Sequence, residues 1–226
     1  MVAAPLVVVE REDDGAFVLS LNRPDKLNAL SIELREAAAA ELRGLAGDKD
    51  CRGLVLTGPG KAFCAGMDFS QFGGGRENRQ RLYDVTTGFF DSLLDFPKPL
   101  IGAVQGAAVG GGFTLALVCD ELIATEDAFF GFYEVRRGLP APLDIVRCFV
   151  DQARAADWCD SGRRVGVAEA VEAGIVSRVV APSELLPAAR ETVRARNGQR
   201  RETKAAVRAA FADLHAAFHR GLFPDD

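Results

Sequence analysis

The sequence predicts an α/β fold with a largely parallel sheet. Apolar, strand-like runs alternate with helical patterns along most of the chain, and this alternation is typical of parallel strands joined by helices. The length of 226 residues fits one large domain, or a core with a small appendage. Hydrophobic residues make up 48% of the chain and charged residues 26%, which is the balance of a protein that buries a sizeable core.

The N-terminal elements follow from turn and capping residues. Two strand-like runs, residues 6–10 and 16–21, flank an Asp-Gly turn and predict a β-hairpin. Ser31 predicts the N-cap of an alanine-rich helix that reaches Ala46. The polar, glycine-rich stretch over residues 71–81 predicts a loop that is either a mobile lid or a plain connection.

The rest of the chain keeps the alternation. Pro97 and Pro99 mark the entry to one apolar strand. The tail has a charged amphipathic pattern whose apolar face needs a neighbour to cover it. The predicted strands cover residues 53–57, 100–104, 121–125, 128–131 and 174–180, and the predicted helices cover residues 78–95, 111–119 and 200–218.

Charge and composition exclude several classes of function. The formal net charge is −5, which argues against a nucleic acid or an anionic membrane as partner. No run of about 18 apolar residues predicts a membrane-spanning helix, and the N-terminal residues lack a signal-peptide pattern. The five cysteines are scattered without a Cys-x-x-Cys pair, so we expect reduced thiols and a cytoplasmic protein.

Four other side chains could have a chemical role but also have a simpler structural one. Cys64 is a candidate nucleophile, and a small packed thiol is the interpretation we favour. His215 and His219 are the only histidines, and their spacing of four residues on a predicted helix can bind a metal. No acidic or cysteine partner accompanies them in the sequence pattern, so no metal site is expected. Trp158 is expected to pack in the core or at an interface.

Two glycine-bearing segments carry the strongest functional signal. Residues 63–68 and residues 106–112 each follow a strand-like apolar run, and the second opens a helical pattern. Two such segments that present free backbone N–H groups to one point form an anion hole, and the triple glycine lets a ligand approach the main chain closely. A glycine triplet alone is also typical of close helix–sheet packing, so the pair of segments is what indicates a binding site.

These segments and their neighbours resemble the crotonase superfamily, the enoyl-CoA hydratases and isomerases. Residues 21–30 resemble the first CoA-binding segment of that family, and residues 61–68 resemble its first oxyanion segment. Residues 98–120 resemble its second oxyanion segment, and residues 162–176 resemble its later helix–turn–strand.

The resemblance covers about residues 17–180. It implies a crotonase-like spiral of ββα units, with residues 1–180 as the core that holds an acyl-CoA site. Residues 181–226 are then a helical C-terminal region and an expected oligomer contact. The family commonly forms trimers and pairs of trimers, so a homo-oligomer is expected. Coenzyme A enters as part of the substrate, and no permanently bound cofactor is expected.

The resemblance also implies roles for individual residues. The backbone N–H groups of Met67 and Gly111 are expected to form the oxyanion hole for the thioester carbonyl. Asp68 is expected to order its own loop and not to react, and Lys26 either meets a phosphate or is simply solvated. The residues expected to contact coenzyme A are Lys26, Leu27, Ala29, Ala65, Gly66, Met67 and Asp68.

The chain departs from the family at a position that bears on the reaction. Hydratases of the family hold one water between two glutamates, and Thr114 stands at the first of these positions. A threonine hydroxyl forms hydrogen bonds but is neither an acid nor a base near neutral pH. The second glutamate is present as Glu134, the candidate catalytic carboxylate; its alternative is a surface residue paired with Arg136 or Arg137.

A second departure follows Glu134 along the chain. Other relatives carry an acid eight positions after this glutamate, where Pro142 stands here. Asp144 lies two residues further on and either enters the site or caps a helix. A run of Leu-Pro-Ala-Pro over residues 139–142 replaces the glycine-rich turn of the family, so this wall of the acyl pocket is expected to be stiffer.

Three functions remain open from the sequence. One carboxylate with an oxyanion hole suffices to move a proton, which favours a Δ3–Δ2 enoyl-CoA isomerase with Glu134 as shuttle, or a related enolate-forming lyase or decarboxylase. Hydration is the alternative if Thr114 holds the water. The third candidate is a protein that binds acyl-CoA without catalysis.

Overall fold

The fold consists of two sheets surrounded by helices. The computed structural model describes residues 4–196 and 203–223. The strands are β1 (Val7–Glu10), β2 (Ala16–Leu21), β3 (Gly53–Thr57), β4 (Ala62–Cys64), β5 (Leu100–Val104), β6 (Ala107–Val109), β7 (Glu121–Thr125), β8 (Phe129–Gly131), β9 (Val165–Gly166) and β10 (Val176–Val180). One sheet has six strands in the order β1-β2-β3-β5-β7-β10, and the other has four in the order β4-β6-β8-β9.

The helices carry most of the remaining described chain. They are α1 (Ile32–Gly47), α2 (Arg76–Leu94), α3 (Gly111–Val118), α4 (Leu143–Val146), α5 (Gln152–Ser161), α6 (Val167–Glu172), α7 (Leu185–Arg196) and α8 (Lys204–Leu222). Ser31 caps α1 as predicted, because its side chain accepts a hydrogen bond from the Leu34 N–H at 3.2 Å. None of the helices in the described ranges is long and apolar enough to cross a membrane.

The larger sheet is parallel through its centre. Strands β2, β3, β5 and β7 pair in parallel, β10 joins β7 in parallel, and only β1 is antiparallel, as the other half of the predicted N-terminal hairpin. Strands β3 and β5 are buried along their whole length, which explains their continuous apolar sequence. Helix α7 covers one face of this sheet, where Ala189 and Val193 join a cluster with Val18, Val55 and Ile101.

The architecture repeats one unit three times. Strand β3 lies in the larger sheet, β4 lies in the smaller sheet, and α2 follows; β5, β6 and α3 repeat this order, and so do β7, β8 and α4. This is the spiral of ββα units that the sequence predicted. Because β4 and β6 pair in parallel, the segments that follow them leave the smaller sheet at the same edge. Those segments are the two glycine-bearing ones.

Helix α8 packs on its own chain. Phe211 of α8 stacks near Phe90 of α2 with ring centroids 5.1 Å apart, and Phe218 stacks near Tyr83 at 5.9 Å. The ammonium of Lys204, at the start of α8, lies 3.9 Å from the buried carboxylate of Asp120. The apolar face of the tail therefore has the neighbour that its pattern requires, because α2 covers it. The helix prediction over 200–218 holds from Lys204, and residues 200–202 lie outside the described ranges. The boundary at residue 180 and the oligomer stay predictions.

Two local predictions were wrong. The loop expected over residues 71–81 ends at Gly75, because α2 begins at Arg76 and a short 3-10 turn covers Phe69–Gln71. Strands β4 and β6 were missed because each is only three residues long; β6 also has two alanines, which have weak strand propensity. Each glycine-bearing segment therefore includes residues of the smaller sheet, from β4 in the first and from β6 in the second.

Asn28 fixes the expected CoA-binding segment to the rest of the fold. It is fully buried and has a positive φ of 55°, a conformation that asparagine tolerates better than most residues. Its amide Nδ2 donates to the carbonyls of Pro59 and Ala62 at 3.0 and 2.8 Å. Its Oδ1 accepts from the Arg23 N–H at 3.0 Å. One side chain therefore satisfies three backbone groups on two segments.

We expect Asn28→Ala to lower the free energy of unfolding by roughly 2–4 kcal/mol, because it leaves three partly buried backbone groups unpaired in a strained conformation. Asn22→Ala is the matched control. Asn22 makes a single exposed hydrogen bond to the Pro5 carbonyl, so the same change there should cost less than about 1 kcal/mol. Urea titration of both variants measures the difference, and equal costs would contradict this role for Asn28.

Candidate active site

A cavity of about 550 Å³ lies where the two glycine-bearing segments meet the helices. The segments contribute Ala65, Gly66 and Met67 on one side and Gly110 and Gly111 on the other. Helices α2 and α8 form another wall of the cavity, and the stretch after β8 completes the lining. The described side chains of that remaining lining include Phe69, Phe72, Thr86, Phe90, Thr114, Tyr133, Glu134, Leu139, Pro140, Phe211, Leu214, His215 and Phe218.

Two backbone N–H groups in this cavity have no acceptor. Gly111 is the first residue of α3, so its N–H belongs to the orphan donors of a helix start. Met67 lies just beyond β4, in a bridge to Leu30. Neither N–H donates to another residue in the described ranges, whereas the N–H groups of Asp68 and Thr114 are used by Leu30 and Gly110. The predicted oxyanion donors are therefore both free and both at the cavity.

The two segments approach each other more closely than side chains would allow. A Cβ on Gly66 would lie 2.7 Å from the Val109 carbonyl oxygen and 3.2 Å from the Gly111 nitrogen, so only glycine fits there. The side chain of Met67 also packs within 3.4 Å of the position that a Gly111 Cβ would take. This close contact is what brings the two donors to one place.

Glu134 lies in the cavity and not on the surface. Its Oε2 is buried and has no hydrogen-bond partner in the described ranges, and no ion pair joins it to Arg136 or Arg137 there. Those arginines instead lie over the rings of Tyr133 and Phe69. Burial raises the pKa of Glu134 to about 7. The carboxyl group is therefore balanced between its acid and base forms at neutral pH.

Gly110 makes room for this carboxylate. It has a positive φ of 56°, and a Cβ at this position would lie 2.9 Å from Oε2 of Glu134. The carboxylate therefore packs directly against the main chain that leads into Gly111. Of the cavity-lining residues that the structure describes, Glu134 is the single acidic one.

Thr114 lines the same cavity but offers little acid or base chemistry. Its hydroxyl is buried and points back toward the Gly110 carbonyl oxygen at 3.4 Å, one turn earlier in α3. Thr114 thus adds a weakly bound hydroxyl to the cavity lining that also contains Glu134.

The expected CoA-binding segment, residues 21–30, lies beside the residues that carry the two free N–H groups but outside the cavity lining. The Leu27 carbonyl accepts from the Ala65 N–H at 2.9 Å, and the Gly66 carbonyl accepts from the Leu30 N–H at 2.8 Å. Leu27 is 44% exposed and Lys26 is exposed, so both are open to a bound ligand. Ala29 is half-buried, and its carbonyl accepts from Arg23 at 2.6 Å.

Asp68 organises the loop that follows the hole. Its carboxylate accepts from the Ser70 N–H at 3.2 Å and the Ser70 hydroxyl at 2.7 Å, and it pairs with Arg23 at 3.0 Å. These bonds lower the pKa of Asp68 and oppose the effect of its partial burial, which is the largest single influence. Asp68 is thus tied down as a carboxylate, in line with the loop-ordering role expected for it.

Several other candidates lie away from the chemistry. Asp144 pairs with Arg147 at 3.2 Å on the exposed side of α4; it neither enters the cavity nor caps the helix, whose N-cap is Pro142. Burial raises the pKa of Cys64 to about 12, which rules out a thiolate nucleophile at neutral pH. Trp158 is fully buried and donates to Glu169 at 2.9 Å. No metal-binding cluster occurs among the described residues.

The structure adds one residue that the sequence pattern did not assign to the site. His215 of α8 lines the cavity, whereas His219 packs edge-on against Tyr83, 5.2 Å away, outside the lining. The histidine pair was considered only as a metal motif. The position of His215 at the cavity depends on how α8 packs against α2, and the spacing of residues along one helix does not show this packing.

Comparison with known proteins places this geometry in a family. The sequence pattern of the enoyl-CoA hydratase/isomerase family matches residues 11–222. A protein of Rhizobium meliloti (strain 1021) named "Probable enoyl-CoA hydratase" is 39% identical over 173 residues, which are 75% of this chain and 66% of that protein. The peroxisomal Delta(3,5)-Delta(2,4)-dienoyl-CoA isomerase of Arabidopsis thaliana is 30% identical over 189 residues, 76% of this chain and 68% of that protein.

Solved structures agree with the sequence match. An enoyl-CoA hydratase from Mycobacterium smegmatis superimposes with a TM-score of 0.79 at 30% identity, covering 98% of this chain and 92% of that one. An enoyl-CoA hydratase from Bacillus anthracis gives a TM-score of 0.80 at 27% identity, covering 97% and 90%. With the ββα spiral, the paired glycine segments and this sequence match in agreement, the chain belongs to the enoyl-CoA hydratase/isomerase family, the crotonases.

Proposed function

We propose that this protein is a Δ3–Δ2 enoyl-CoA isomerase in which Glu134 carries the proton. The observation that supports this most strongly is the single carboxylate in the described cavity lining, next to two unused backbone donors. The ionised Glu134 takes a proton from C2 of a 3-enoyl-CoA. The dienolate charge collects on the thioester oxygen, and the protonated Glu134 returns the proton at C4. Coenzyme A takes part only as the carrier of the acyl group.

The two N–H groups supply the electrostatic part of this mechanism. The thioester oxygen gains negative charge only as C2 loses its proton, so fixed donors from Met67 and Gly111 stabilise the dienolate more than the substrate. The loss of one such donor costs about 3–4 kcal/mol of barrier in enzymes with comparable holes. Backbone donors keep their positions because the contact between Gly66 and the Val109–Gly111 turn fixes them.

Hydration is the second candidate, and the names of the relatives favour it. The Rhizobium relative and the two solved structures above are named hydratases, and the Arabidopsis relative is named an isomerase. Hydration needs a water that is both held and deprotonated. Here Glu134 would deprotonate the water, and the Thr114 hydroxyl would hold it by a hydrogen bond without acting as an acid or base. This argument also leaves room for a lyase or decarboxylase, which needs only the enolate.

Glu134→Gln is expected to lower kcat for the conversion of 3-hexenoyl-CoA to 2-hexenoyl-CoA by about 10²–10⁴-fold, with KM little changed, because the amide cannot accept the C2 proton. Glu126→Gln, an exposed glutamate eight residues earlier, is the matched control and should keep the wild-type rate. Full activity in Glu134→Gln, or no conversion by the wild type, would contradict the proposal.

The pH profile of kcat gives an independent test. The base form of Glu134 is the carboxylate, and burial raises the pKa of this group to about 7. The rate is therefore expected to rise about tenfold per pH unit on the acid side and to level off above about pH 7. A stopped-flow assay across this range measures it. A rate that is flat or that falls as the pH rises through 7 would be incompatible with Glu134 acting as the base.

Thr114→Glu separates isomerisation from hydration. We expect the wild type to add water to crotonyl-CoA slowly, and we expect the new carboxylate to raise that rate by roughly tenfold or more by completing a two-carboxylate site. Thr114→Val, which has nearly the same shape, should leave isomerisation unchanged. Wild-type hydration that is as fast as isomerisation, and that Thr114→Val abolishes, would favour the hydratase.

A further inference from the structure

We propose that the acyl pocket selects acyl groups that carry a polar oxygen in their tail, and that His215 is the residue that binds this oxygen. The inference rests on the proposed acyl-CoA site, and it names the class of substrate for that site. It starts from the wall that α2 and α8 contribute to the cavity. Three residues make up what we call the polar wall: Thr86 and His215, which line the cavity, and Arg35, which lies behind Thr86.

His215 carries an unused polar atom in an otherwise apolar part of the cavity wall; this atom lies beneath the cavity surface, so the imidazole must turn to reach a bound ligand. Its Nε2 is buried and has no hydrogen-bond partner in the described ranges. The described neighbours of His215 on α8 that also line the cavity are Phe211, Leu214 and Phe218, and Phe211 meets the imidazole edge-on at 5.7 Å. Burial lowers the pKa of His215, and the negative charge of Asp91 partly offsets this effect. A neutral imidazole has one N–H donor and one acceptor nitrogen, and we place the donor on Nε2.

Arg35 adds positive charge behind the same wall. Its side chain is 1% exposed, Nε donates to the Ser31 carbonyl at 3.1 Å, and Nη1 donates to the Thr86 hydroxyl. No carboxylate lies within ion-pair distance of it among the described residues, although Glu33, Glu36 and Asp68 act on it from further away. Burial lowers the pKa of Arg35 to about 10, so the group is still a cation at neutral pH.

Thr86 and His215 lie at the same level of the wall. Tyr83 of α2 meets Phe218 of α8, and Phe90 meets Phe211, so the two helices run antiparallel with these residues in register. Thr86 falls between the two contacts on α2, and His215 falls between them on α8. Both side chains also line the cavity. The Thr86 hydroxyl gives its proton to the Leu82 carbonyl, so toward the cavity it can only accept.

This arrangement predicts that an acyl tail with an oxygen binds more tightly than the matching alkyl tail. In an entirely apolar pocket, an oxygen in the acyl tail loses its water and binds worse than the matching alkyl chain. At the polar wall, the oxygen pairs with His215 and lies in the field of Arg35, whereas an alkyl tail leaves the buried Nε2 without a partner. A hydroxyl suits both groups, because it accepts from the imidazole and donates to Thr86.

The test is the binding of saturated CoA thioesters that cannot isomerise, measured by calorimetry. Matched sets of four, six and eight carbons end in a methyl, a hydroxyl or a carboxylate. At the chain length that reaches His215, we expect an oxygen-bearing thioester to bind about tenfold more tightly than its alkyl match. The hydroxyl and carboxylate members distinguish a neutral from an anionic substrate. Because no turnover is needed, this result stands or falls separately from the isomerase proposal.

Variants of the two histidines of α8 complete the test. His215→Phe should reverse the preference while it keeps or improves binding of the alkyl thioester, which also shows that the pocket is intact. His215→Gln retains a donor and should keep part of the preference. His219→Phe, one turn further along, is the matched control and should behave as the wild type.

Three results would overturn the proposal. The first is a wild type that binds the alkyl member as tightly as the oxygen-bearing ones at every length. The second is a preference that survives in His215→Phe. The third is a His215→Phe protein in which kcat for a plain 3-enoyl-CoA falls while the binding preference is unchanged, because that pattern would make the histidine a catalytic acid and not a recognition residue.

Discussion

The structure depends on the contact between the turn at Gly66 and the turn at Val109–Gly111. Each of these turns by itself is only the end of a three-residue strand. The absence of a side chain at Gly66 lets the two main chains touch, and the parallel pairing of β4 with β6 brings them to the same edge. Two N–H groups are then left without acceptors at one point. The function proposed for the cavity begins from these two donors.

The acidic group of the site is also left unpaired. Glu134 has a buried oxygen without a partner, and the glycine at position 110 leaves the space that this oxygen occupies. Ion pairing would have held Glu134 as a permanent carboxylate; burial instead raises its pKa to about 7. The stabilising interactions lie just outside the cavity, in the Asn28 amide and the Arg23–Asp68 pair. The paired groups outside the cavity thus hold the surrounding loops in place, while Glu134 inside it stays without a partner.

Much of this was predictable from the sequence, for reasons specific to certain residues. The Ser31 cap, the buried strands β3 and β5, and the helix after the glycine triplet all follow from local rules. Resemblance to the crotonases added the positions of Met67, Gly111 and Glu134, which local rules cannot bring together. The start of α2 at Arg76 was missed because its glycine N-cap looks like loop sequence. His215 was missed because its place depends on the packing of α8 against α2, which no short motif encodes.

The most direct test of the account is hydrogen exchange at C2 of a 3-enoyl-CoA in heavy water, followed by mass spectrometry of the recovered thioester. We expect the wild type to introduce deuterium at C2, because the proposed enolate passes its proton to Glu134, which can exchange it with heavy water before a proton returns to carbon. Glu134→Gln should bind the thioester and leave C2 unlabelled. A wild type that binds the thioester and neither exchanges at C2 nor moves the double bond, or a Glu134→Gln protein that exchanges as fast as the wild type, would contradict the role proposed for Glu134.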